Sequence, residues 1–163
     1  MISESFWIAI AVTTFPLFHE RARTLMLWFA ALSIALLAVA VVEAAAVMSM
    51  ISVSEAYTKA TPAAQEQLQT IRVVIASARN WPHFLARIVD GVAIFVFYSI
   101  LYRLVAVPRW LAGFGLIAAV LMVTGVGMPL FGQPVAFPLL APLGLAQLTL
   151  AVWLLVKGFR PAK

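Results

Sequence analysis

The chain has 163 residues, 64% of them hydrophobic and only 10% charged, with a formal net charge of +5. Soluble domains carry about 25% charged residues, so lipid must be the solvent for most of this chain. The cations sit at the ends of apolar runs rather than in a basic patch with interleaved aromatics, which excludes nucleic-acid binding and points to topology signals and anionic-lipid contacts.

Cysteine is absent, so disulfides, thiolate metal sites and redox pairs are excluded. The N-terminal MISESFWIAIAVTTFPLF is apolar but has no basic leader and no A-x-A site, unlike a removable signal peptide.

Five apolar runs follow in chain order. The first predicted span, 5–18, is capped by Ser5 and ended by Pro16, and is short for a span of ~20 residues. A polar stretch with His19, Glu20, Arg21 and Arg23 comes next and reads as a loop, with His19 solvated. The second predicted span, 24–53, is rich in Ala, Leu and Met and has no Gly or Pro. Its reach of ~45 Å exceeds a ~30 Å hydrocarbon core, so it must tilt or protrude.

Thr61-Pro62 is a good helix start, and Leu68, Ile71 and Ile75 then recur at helical spacing. This predicts an amphipathic connector over 61–79, lying on the membrane or over the bundle. The remaining predicted spans are 81–102, 108–127 and 137–156, the last opened by Pro138 and Pro142. The Pro- and Gly-rich MPLFGQPVAFP between the last two reads as an interfacial loop. The fold class is therefore all-α: one transmembrane helix bundle over 1–163, with about five spans and one extracytoplasmic amphipathic helix.

With alternating spans, Arg21, Arg23, Arg103, Arg109, Lys157, Arg160 and Lys163 fall on one side, and Lys59, Arg72, Arg79 and Arg87 on the other. The excess of cations marks the first side as cytoplasmic, with the C-terminus inside. Trp28, Trp110 and Trp153 then stand near the inner boundary, and Trp7 and Trp81 near the outer one, as interfacial aromatics.

Between Leu25 and Val53 the only charge is Glu43. An ionisable residue within a span is a functional-site candidate by default. His83, Arg87 and Asp90 follow at i, i+4, i+7 and line one helix face. Glu43 lies ~28 Å up its helix, near the outer boundary, where tilt would bring it to Arg87. Gln147 is expected in the same layer. These five residues form a candidate intramembrane polar cluster, used either as a ligand or proton site or as glue between helices. Glue is the commoner use. His19 and His83 fall on opposite sides, so they do not jointly ligate a haem or metal. No nucleotide-binding, nucleophile-elbow or zincin motif is present, so no catalytic residue is assigned and no cofactor is expected beyond a bound lipid or other apolar molecule.

The stretch FVFYSILYRLVAVPRWLAGFGLI, the C-terminal LAVWLLVKGF, the VVEAA around Glu43 and the ARNW at 78–81 together resemble a bacterial integral membrane family, domain of unknown function 4386. The resemblance implies an all-helical membrane protein, usually with more N-terminal sequence, and no established activity. Asn80 and Gln147 stand where that pattern commonly has acidic residues, Ala40 where it has Arg, and Arg87 and Asp90 where it is apolar, so the polar arrangement looks rebuilt in this chain.

Three functions fit these residues. The first is a structural or accessory subunit of a larger, for example bioenergetic, assembly in the bacterial inner membrane, with other membrane subunits or further copies as partners. The second is a small transporter or channel using the polar cluster. The third is a lipid- or quinone-binding module near Trp81 and Tyr98.

Overall fold

The structure, a computed structural model, describes residues 2–160. Lys163, placed on the cytoplasmic side above, lies outside the described residues. The architecture is all-helical: α1 (Ile2–Lys59), α2 (Pro62–Arg103), α3 (Arg109–Gly127) and α4 (Ala141–Lys157). Short 3₁₀ turns at Met128–Phe131 and Phe137–Leu139 bridge α3 to α4. Among the described residues, four helices are long and apolar enough to cross a membrane.

α1 is not straight. Ala22 leaves helical geometry (φ −138°, ψ 37°). On a straight helix Trp7 and Phe29 would stand about 33 Å apart, yet their ring centroids are 5.9 Å apart. The chain therefore doubles back at Ala22, giving a first arm, 2–21, and a second arm, 23–59. The reversal falls within the polar stretch 19–23, where the connection between the first two spans is expected, but as a sharp turn at one residue rather than an open loop. His19 is helical and half-buried, stacked on Phe15 with centroids 5.3 Å apart. Nor does Pro16 end the first helix. In an apolar solvent each backbone group lost from a helix costs several kcal/mol, so the helix is interrupted only where the chain must turn.

The same preference for unbroken backbone pairing overturns the separate connector. Residues 62–103 form one helix that runs through Pro82. Its first half pairs with the end of α1, where Gln65 Nε2 donates to the Tyr57 and Ala60 carbonyls (3.3 and 3.4 Å) and Gln69 Nε2 to the Tyr57 hydroxyl (3.4 Å). The second predicted span likewise continues past residue 53 to Lys59.

α2 is the central helix, packing on α1 along one side and on α3 along the other, while α4 packs on α3. Its inner half is buried through Ala86, Asp90, Ala93, Ile94, Phe97, Tyr98 and Leu101. α3 approaches closely because a Cβ on Gly115 would strike the Tyr98 ring, the use of small residues expected between membrane helices. One end of the bundle is tied together by the chain itself. Arg160 N donates to the Ala106 carbonyl at 2.8 Å, and Phe159 meets Phe18 edge-on at 5.2 Å. Arg21, Arg23, Arg103, Arg109, Lys157 and Arg160 are thereby gathered at one end.

Candidate functional site: an intramembrane charge cluster and an adjacent groove

Charged side chains come together where the two arms of α1 meet α2. Glu43, on the second arm, takes His83 Nδ1 at 3.0 Å and Arg79 Nη2 at 3.6 Å. Arg87 donates to Asp90 (Nη1–Oδ2, 3.3 Å) and to Glu4 of the first arm (Nη2–Oε1, 3.0 Å). Glu4 and Asp90 are buried. Trp7 stands against the Asp90 carboxylate. A cavity of about 390 Å³ opens beside the cluster, lined by Glu4, Ala40, Glu43, Val47, His83 and Arg87 among others.

Four of the five expected residues thus gather at one level, and Arg87 pairs with Asp90 as their i, i+3 spacing predicts, but Arg87 does not pair with Glu43. Glu43 bonds to His83 and Arg79, while Arg87 is taken by Glu4 and Asp90. His83 sits one helical turn after Arg79 and one before Arg87, so a single α2 face serves both arms of α1. Glu4 and Arg79 were missed. In sequence Glu4 reads as a terminal solvated charge just ahead of the predicted span 5–18. Its only sequence signal is an acidic residue at the edge of a predicted span.

The chemistry of the cluster is that of a latch. Three carboxylates face two guanidiniums and one imidazole, all in contacts of 3.0–3.6 Å. Such pairs hold helices at fixed rotation, and their net stabilisation is small because desolvation opposes the attraction. Below Asp90 the rings of Trp7, Phe29 and Phe97 close the space, with Phe29 stacked on Phe97 at 5.1 Å.

Gln147 is not in this layer. It stands on α4, exposed, at the edge of a second cavity of about 390 Å³ between the first arm of α1 and α4. Phe97 and Tyr98 floor that groove. The Tyr98 hydroxyl is buried and has no hydrogen-bond partner among the described residues. Of the aromatics expected at the boundaries, Trp28, Trp81 and Trp110 are exposed, at 60%, 50% and 63%. Trp7 is instead turned into the bundle against Phe29 and Phe97, and Trp153 is half-buried with Arg160 over its ring at 5.9 Å.

The comparison that decides kinship is with protein families: residues 1–158 match the family described as "Domain of unknown function (DUF4386)". The chain belongs to that family. No curated protein and no solved structure matches it.

Proposed function

We propose that this protein is a multi-pass, non-catalytic accessory subunit of a membrane assembly in the bacterial inner membrane. It crosses five times, through the two arms of α1 and through α2, α3 and α4, with its C-terminus in the cytoplasm. The excess of cations at the end where Phe18, Ala106 and Phe159 meet supports that orientation.

One observation carries the reading. Beyond the Glu43–His83 contact no residue of the pair, 44–59 on α1 or 62–82 on α2, is buried. From residue 43 to 59 this pair reaches about 24 Å. On it Val73 and Val74 are 68% and 64% exposed, and Met48, Ile51 and Ile71 are exposed as well. Two helices alone cannot bury an apolar face on both sides, and contiguous exposed apolar surface marks an interaction site. A partner membrane subunit or a second copy would cover it.

Transport is the weaker reading. A conducting route would have to pass the Trp7, Phe29 and Phe97 rings.

The test is the native mass of the full chain extracted from its own membrane in mild detergent. A complex or oligomer is expected, lost in Val73→Glu/Val74→Glu with the unfolding midpoint unchanged. A folded wild-type monomer overturns the proposal. The cysteine-free sequence makes topology directly testable: Thr58→Cys should label with an impermeant maleimide from outside, and Arg160→Cys only after the membrane is opened.

A further inference from the structure

We infer that two copies of this chain pair in parallel through α2, along a heptad-spaced apolar stripe that runs from Ile71 to Tyr102. This rests on the subunit reading above and names its partner as a second copy.

The stripe is a matter of spacing. From Ile71, alternate steps of three and four residues lead to Val74, Ala78, Trp81, Leu85 and Ile88, and on without a charge to Tyr102. Such spacing keeps one set of side chains turned to one neighbouring helix. Its reach is about 46 Å. Every member from Ile71 to Leu85 is exposed, and so are Val92 and Phe95 further along. The fold leaves this face over. Arg79, His83 and Arg87 are turned to α1, and the Tyr98 ring lies on Gly115 of α3.

Lipid does not cover all of it. α3 is about 28 Å long, close to one hydrocarbon core, whereas α2 reaches about 63 Å. The two meet at the inner end, where α2 stops at Arg103 and α3 starts at Arg109. Counted from Arg103, a ~30 Å core ends near His83. Ile71, Val74 and Ala78 therefore stand beyond the bilayer, where an uncovered apolar row faces water. The occupant is then a protein helix that follows α2 from outside into the membrane. The exposed stripe of α1 through Val41, Ala45 and Met48 makes no such demand, because it turns polar at Ser52 and Glu55.

Symmetry and charge select a second copy. Copies of one chain insert in one orientation, so two α2 helices meet in parallel. A two-fold axis along the membrane normal then sets each stripe residue opposite itself. Charges flanking such a seam choose which helix pairs with which, and like charges brought together there repel. Thr70, Ile75, Ser77, Pro82, Phe84 and Val89 flank this one, and none is charged. Arg79 and Arg87 are held by carboxylates of their own chain. Beside Val92 and Phe95 the surface between α2 and α3 is hollowed by about 260 Å³, which leaves room for a ring of the facing helix.

The cysteine-free chain lets the seam be mapped in native membranes. Single-cysteine variants of the full chain are oxidised with copper phenanthroline and separated on a denaturing gel. Ile71→Cys, Val74→Cys, Ala78→Cys and Leu85→Cys should each form a disulfide-linked pair of chains. Val73→Cys and Asn80→Cys, exposed but off the stripe, should not, giving a period of about 3.5 residues. Two differently tagged copies expressed together should co-purify. Val74→Glu alone should weaken that association more than about tenfold, by setting two carboxylates face to face, and Val73→Glu should leave it unchanged. Helix content is read alongside. Crosslinking without this periodicity, or a native complex holding one copy of the chain, overturns the second copy and leaves the subunit reading standing. A folded monomer overturns both.

Discussion

The two halves of α2 place their residues in opposite kinds of difficulty. The outer half, before His83, has one neighbour, and its Val73 and Val74 project uncovered. The inner half is buried on all but one face, and there the difficulty is polar: the Tyr98 hydroxyl is sealed in without a partner. Under the five-crossing arrangement, apolar groups meet water at one end and a polar group meets hydrocarbon at the other. The outer half therefore points to a missing protein face, while the inner half carries its cost within the fold. The charge cluster between them shares part of that difficulty: its charges are matched to one another, yet Arg87 Nε and Asp90 Oδ1 are buried without a hydrogen-bond partner among the described residues.

The largest expected effect tests whether the cluster is only a latch. Arg87→Met leaves the Glu4 and Asp90 carboxylates buried without their cation, which costs about 3 kcal/mol. Thermal unfolding of the purified chain in detergent measures it. Adding Glu4→Met and Asp90→Leu should restore most of the loss, since a well-packed apolar triad replaces a buried ionic one at little cost. A triple variant as unstable as the single would mean the charges do more than fix helix rotation.

Next in size is Gly115→Ala. The added methyl would enter the space of the Tyr98 ring, forcing α2 and α3 apart at a cost of about 2 kcal/mol. A loss confined to α2–α3 packing should leave the outer hairpin's assembly unchanged, as the native mass would show. Glu43→Gln should do far less, about 0.5 kcal/mol. His83 and Arg79 side chains are each 40% exposed, so water screens both contacts.

Much of this was legible in the sequence, and the exceptions share a cause. α3 is found within a residue of its expected bounds, and the stripe of His83, Arg87 and Asp90 does face α1. Composition reports which solvent a segment prefers, so helix class and the shared face of α2 follow from it. It does not report where a helix bends. The reversal at Ala22 uses no Gly and no Pro, while Pro16, the expected end of the first span, lies inside a helix, as Pro82 does. The reversal itself was expected between the first two spans; Glu4 was missed because it lies just outside the predicted 5–18, and the match to Glu43 goes astray. Gln147 was placed in the wrong layer for a related reason. Depth along one span does not fix which gap between helices a side chain enters.

The smallest expected effect lies where the inner half of α2 ends. Val105 has φ 53°, a left-handed conformation that a β-branched residue adopts only when its surroundings impose it. Those surroundings are visible. Ala106 N reaches back to the Leu101 carbonyl at 3.1 Å, and the Ala106 carbonyl accepts from Arg160, so the loop is pinned from both sides. Val105→Gly would release about 1–2 kcal/mol of strain and lose about 0.5–1 kcal/mol to the greater freedom of the unfolded chain. A net gain of about 0.5 kcal/mol in unfolding stability is expected, with native mass unchanged. Destabilisation instead would show that the Val105 side chain, half-buried at this end, holds the loop more firmly than its backbone strains it. The inner half of α2 would then owe its order to this seam as well as to its buried face.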